Sequence, residues 1–190
     1  MAVTGVGKVY FVPFGDFTSP SLERVAREYG RKLDTDVSVL PAISLPRRSG
    51  KQYLADDLIA SLQRSYPQQS SDPASVLIAI TNCDMNRQDQ AWRYSYAKRA
   101  GRLAVISSAR MDVSNFGADS DQDLLDARVR KILLRQLGIL YFGIPQRDDP
   151  RSVFHGVLNG PGDLDRMSLD DLDTLSRQAR QGEVRPIDQQ

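Results

Sequence analysis

Short apolar runs rich in β-branched and aromatic residues alternate along the first half of this chain with segments whose apolar residues recur every three or four positions. That change of period fixes the class of fold open to it, because a period near two suits a strand and one near 3.6 suits a helix with one buried face. Residues 8–14, KVYFVPF closed by Gly15, read as a buried first strand. Ser19-Pro20 then supplies a hydroxyl cap and a proline where its missing N–H does no harm, and Leu22, Val25, Ala26, Tyr29 and Leu33 fall on one helical face. Residues 36–40 form a second strand. Leu54, Leu58, Ile59 and Leu62 make the stripe of a second helix that ends before Pro67, the polar segment 67–74 reads as a loop, and the apolar run 76–80 is a third strand. The succession βαβα followed by a further strand predicts an α/β fold.

Beyond residue 80 the pattern changes. Residues 92–97 and 103–107 are extended runs joined by Lys98-Arg99-Ala100-Gly101, which predicts a hairpin with one strand on the sheet edge. The first run alternates Trp92, Tyr94 and Tyr96 with Arg93, Ser95 and Ala97, giving an aromatic face that covers the sheet or, on an open edge, lies beside an added peptide strand. From Asp121 a long helix carries Leu125, Val129, Ile132, Leu133, Gln136, Leu137 and Leu140 at spacings of three and four, so Gln136 lies on the apolar stripe. A last helix is expected from Ser168, as cap, to about Gln181, with Asp170 and Asp171 favourable in its first turn. One domain over residues 1–181 and a frayed tail over 182–190 complete the expected organisation.

Charge and composition exclude several functions. The net charge of +1 provides no field to gather nucleic acid or an anionic membrane, and no run approaches the roughly 20 apolar residues of a membrane span. Cys83 is the only cysteine, so no internal disulfide forms, and the opening MAVTGVGKVYFVPFGD lacks the charged and apolar regions of a secretory signal, which makes the cytoplasm the expected location. His155 is the only histidine. The aspartates between Asp148 and Asp173 lack the spacing of a calcium loop and read as a solvated acidic face. The stretch 156–165, with three glycines, lacks the Lys-Ser/Thr pair of a phosphate cradle and reads as a loop.

The segment from Gln136 to Phe154 carries the frame of a zinc hydrolase site without its ligands. Such a site needs two histidines one helical turn apart, a glutamate beside the first as general base, and a glycine bend that lets a third histidine close on the metal. In register, this chain has Gln136, Leu137, Leu140, Gly143 and Gln146. Only the glycine is kept.

Other segments agree in order and spacing with one family. The strand KVYFVPFGD, the arginine-containing RRSGKQYLADDLIASL with its Gln-Tyr pair, the turn ITNCDM and the strand AGRLAVISSARM are similar to consecutive pieces of the archaemetzincins, and the chain from Lys8 to Arg177 resembles that metzincin-like family of zinc metalloproteases. The resemblance implies a zincin-like α/β domain: a mixed sheet of four or five strands with an edge strand, packed helices, a long former zinc helix and a C-terminal helix. In the family, H-E-x-G-H-x-x-G-x-x-H-C is followed by four residues and C-x-M, and later by C-x-x-C. Here Gln136, Leu140 and Gln146 stand at the histidine positions and Leu137 at that of the base. Arg147, Ser152, Leu172 and Leu175 stand at the cysteine positions, and Phe154 at the Met-turn methionine.

These departures imply no catalytic residue, no metal site and no cofactor. The function expected is that of an inactive archaemetzincin-like pseudoprotease, binding a peptide or protein partner through its vestigial cleft and edge strand. The candidate binding residues are Gln136, Gln146, Trp92, Arg93, Tyr94 and His155; the glutamine amides either hydrogen-bond a peptide backbone or satisfy one another and nearby backbone. One alternative is a zinc-independent hydrolase in which Cys83, His155 and Asp84 meet as nucleophile, base and orienting group. Another is an assembly role, including homo-oligomerisation through the 92–97 edge.

Overall fold

The computed structural model describes residues 7–17, 20–48, 51–86 and 96–183. Its centre is a five-stranded sheet built from β1 (Lys8–Pro13), β2 (Asp36–Val39), β4 (Ser75–Thr81), β6 (Ala97–Ala100) and β7 (Leu103–Ser107), in the order β2-β1-β4-β7-β6. The first four positions are parallel and β6 is antiparallel to β7, so the sheet is mixed and has its antiparallel strand on one edge. Two short strands, β3 (Tyr53–Leu54) and β5 (Met85–Asn86), pair in parallel outside it.

Strand alternation divides the core in two. Val9 and Phe11 of β1, Val76, Ile78 and Ile80 of β4, and Ala104 and Ile106 of β7 face α1 (Pro20–Leu33), α4 (Gln122–Tyr141) and α6 (Asp170–Gln181). Val12, Leu77, Ala79, Leu103 and Val105 point the other way, onto α2 (Ala55–Ser65). The connection from β1 through α1 moves outward to β2, whereas the next one, through α2 and α3 (Pro67–Ser71), crosses back past β1 to β4. Right-handed crossovers in opposite directions place their helices on opposite faces and open a crevice at the strands' carboxyl ends.

Several local expectations change. Lys98, Arg99 and Ala100 belong to β6 rather than to the turn, which is Gly101-Arg102, with Gly101 at φ 56°. An edge strand tolerates cations that reach solvent or an ion-pair partner, as Lys98 reaches Asp56 at 3.2 Å, and so they resemble a loop in sequence. Residues 92–95 of the expected 92–97 strand lie outside the described residues, as does the Ser19 cap. Residues 67–71 form the short helix α3, and Pro161–Arg166 forms α5 within what reads as a loop in sequence. Leu54 ends β3 and precedes α2. At α6 the cap is Leu169, and the Ser168 hydroxyl accepts from the Asp170 N–H at 3.1 Å. Among the described residues, no helix is long and apolar enough to cross a membrane.

Candidate functional site

Helix α4 is buried on most sides through its second half, from Ile132 to Leu134 and on through Arg135, Gln136, Leu137 and Gly138. It stops because Gly143 takes a left-handed φ of 66°, a conformation glycine adopts without Cβ strain, and the Ile144 N–H then closes on the Gly138 carbonyl at 3.0 Å. The chain returns beneath the helix. Arg147 donates its N–H to the Phe154 carbonyl at 2.9 Å and accepts from the Gly156 N–H at 3.0 Å, forming a small bridge opposite His155.

Phe154 is fully buried and lies directly on Gly138, where an added Cβ would sit 2.3 Å from the ring. Leu137 is fully buried and Leu140 is 6% exposed. Of the helix positions that the resemblance sets in register with a metal site, Leu137 and Leu140 carry apolar side chains inside the core, and Gln136, Leu140 and Gln146 supply no imidazole, thiolate or carboxylate. These residues do not fit a zinc ion. No group of three or more His, Cys, Asp or Glu side chains among the described residues could hold a metal.

The other side of the returning segment is polar. Asp171, in the first turn of α6, accepts from the Ser152 hydroxyl at 2.9 Å and from the Val153 N–H at 2.8 Å, and its second oxygen lies 3.6 Å from the Arg147 guanidinium. Ser152 also accepts from the Phe154 N–H at 3.1 Å. Arg147 sits over the Phe154 ring, 5.7 Å from its centre. Leu172 and Leu175 face the core from the same helix. Asp171 is therefore a structural hub and not part of a solvated acidic face. Asp165, paired to Arg128 at 2.6 Å, corrects the same reading; its carboxyl is held below the usual range first by hydrogen bonds from that guanidinium.

Arg135 is the side chain that sequence reading missed. It is 5% exposed and donates to the Val153 carbonyl at 2.7 Å and the Gly156 carbonyl at 3.4 Å, with no carboxylate within ion-pair distance among the described residues. Burial, reinforced by the charge of Arg99, pulls the guanidinium down to about 10. The available signal was an arginine, next to Gln136, inside the mostly apolar run ILLRQLGIL, where a helix buried on most sides must place it against backbone carbonyls.

The candidate residues separate into three groups. Gln146 is exposed and donates its amide to the Gly156 carbonyl at 3.3 Å, beside His155, whose buried Nδ1 has no partner among the described residues. Gln136 is 2% exposed, and its side-chain oxygen likewise finds no donor there. Trp92, Arg93 and Tyr94 lie outside the described residues. The grouping of Cys83, His155 and Asp84 does not assemble: both Asp84 oxygens are taken by Arg110, at 3.1 and 2.8 Å, and by Gln52 at 2.9 Å, while the Cys83 thiol faces Asn82.

No protein-family model matches the sequence, and no curated protein does. Solved structures do. A zinc-dependent peptidase from Methanocorpusculum labreanum superposes with a TM-score of 0.70 over 88% of this chain and 99% of its own, at 18% identity. The fold is archaemetzincin-like. The archaemetzincin of Methanopyrus kandleri gives a TM-score of 0.65 at 22% identity, over 92% of this chain and 96% of its own. That of Archaeoglobus fulgidus, crystallised with malonate, gives 0.65 at 19% identity, over 88% and 99%.

Proposed function

We propose that this chain is a non-catalytic relative of the archaemetzincins that binds a peptide or protein partner through the cleft where those proteins do their chemistry. The observation that carries the reading is the identity and burial of the side chains in register with the metal site. Leu137 and Leu140 are core residues, and Phe154 occupies the space left open by Gly138. Neither a general base nor a ligand set can be drawn from them. Recognition without cleavage would use the edge strand of the sheet, and the exposed Gln146 on the returning segment would orient the peptide backbone.

Metal analysis of protein purified without chelator tests the first half of the proposal. The expected zinc content is well below one equivalent; a full equivalent that survives dialysis would overturn the reading. A peptide library tests the second half. Binding with no cleaved product is expected, together with weaker binding by Gln146→Ala, whereas turnover abolished by Cys83→Ala would establish the hydrolase alternative.

A further inference from the structure

The cleft reading leaves unused a concavity at the opposite end of α4. It encloses about 160 Å³ where the loops after β1, β4 and β7 meet the first two turns of α4, at the carboxyl ends of the parallel strands. The reversal of crossover direction between β1 and β4 opens the sheet there, which is where open α/β sheets take their ligands. Val129, its innermost residue on α4, precedes Gln136 by seven positions, about 10 Å along the helix. The two places are distinct.

Its lining has one sign of charge. Asp16, Asp112 and Asp126 contribute carboxylates, and no basic side chain lines it among the described residues. Two of the carboxylates are fixed in place: one oxygen of Asp112 accepts the N–H and the hydroxyl of Ser114 at 2.9 and 2.7 Å, and one oxygen of Asp126 accepts the Gln122 amide at 2.8 Å. Nearby cations do little to offset them. Arg24 reaches Asp126 only at 3.8 Å from an exposed position, and Arg110 is spent on Asp84. The positive end of α4 is answered by its own cap, since the Asp121 carboxylate accepts the Leu124 N–H at 2.9 Å. Phe17, Leu125 and Val129 add apolar side chains to the lining.

We infer that this concavity binds a small organic ammonium, its charge among Asp16, Asp112 and Asp126 and its apolar body against Phe17, Leu125 and Val129. A cavity near 150 Å³ accommodates a benzene-sized body. An anion is repelled by the lining. The carboxylates are too dispersed to converge on one metal ion, in keeping with the lack of any metal-holding group among the described residues. The site is independent of the cleft reading and stands or falls separately from it.

Titration calorimetry on the full chain with benzylamine, benzyl alcohol, benzoate and N-acetyl-lysine amide tests the inference. Saturable benzylamine binding is expected below about 10 mM, with benzyl alcohol at least about tenfold weaker and benzoate weaker still. Asp16→Asn, at an exposed carboxylate that accepts no hydrogen bond among the described residues, should weaken benzylamine severalfold with an unchanged melting temperature. Asp16→Asn with Asp126→Asn should weaken it at least about tenfold. Tighter binding of N-acetyl-lysine amide than of benzylamine assigns the pocket to a lysine carried by a peptide, and the reverse order to a free amine; both retain the ammonium. Equal binding of benzyl alcohol, no saturation by benzylamine, or a folded double variant that binds benzylamine as the parent does would overturn it.

Discussion

Besides the Arg135 hydrogen bonds, two contacts of opposite chemistry hold the segment returning beneath α4. On its helix side, Phe154 rests on Gly138 with no polar group of its side chain to satisfy. On its α6 side, Asp171 gathers Ser152, Val153 and Arg147 through hydrogen bonds and an ion pair. The difference teaches that stability and orientation are divided between them. Apolar packing contributes most of the free energy but tolerates rotation, whereas an acceptor fixed between a hydroxyl and a backbone N–H sets the direction of the chain.

The largest expected effect is at the apolar contact. Phe154→Ala should cost about 3–5 kcal/mol, read by urea denaturation, because a fully buried ring leaves a cavity. Gly138→Ala should cost about 1–3 kcal/mol by forcing its Cβ into that ring, and Phe154→Leu in the same chain should recover part of the loss. Additive costs in the double variant would break the picture of one complementary pair.

The polar contact is expected to be weaker. Asp171→Ala should lose about 1–3 kcal/mol, because it strands the Val153 N–H and the Ser152 hydroxyl in the interior. A double-mutant cycle with Ser152→Ala should show coupling; none would reduce Asp171 to a surface charge.

A smaller effect separates by pH. Asp165 has a folded pKa depressed by Arg128, so its pair stabilises the protein above the carboxylate's unfolded value and loses that contribution as pH falls below about 4. The melting temperature of Asp165→Asn should lie below that of the parent at pH 7 and converge with it in acid. A gap that widened on acidification would reverse the sign of the argument. Least of all, Arg147→Ala should change stability by under about 1 kcal/mol, since its side chain is 42% exposed and its ion pair to Asp171 spans 3.6 Å.

Much of the scaffold was legible in sequence. Val9 and Phe11 against Leu22, Val25 and Tyr29 follow from period alone, as does the α4 stripe through Leu137 and Leu140, because burial of one face repeats with the geometry of the element. The ion pairs of α4 were not, because Arg128 meets Asp165 and Arg130 meets Glu28, carboxylates far away in the chain. The β6 boundary was not legible, because Lys98 and Arg99 on an edge have the composition of a turn. Nor was Asp171, since an aspartate in the first turn of a helix gives no local sign of whether it meets solvent or a hydroxyl and an N–H brought from elsewhere in the chain.

By itself, then, the sequence determined the α/β class, the long helix, the bend at Gly143 and the absence of imidazole, thiolate or carboxylate at Gln136, Leu140 and Gln146. These depend on local period, conformational freedom and side-chain identity. Tertiary structure alone decided that Phe154 lands on Gly138, that Asp171 caps the returning segment, and that the loops carrying Asp16 and Asp112 enclose a concavity with Asp126. Such contacts join residues far apart in the chain, and their energies exist only once the sheet has brought those residues together.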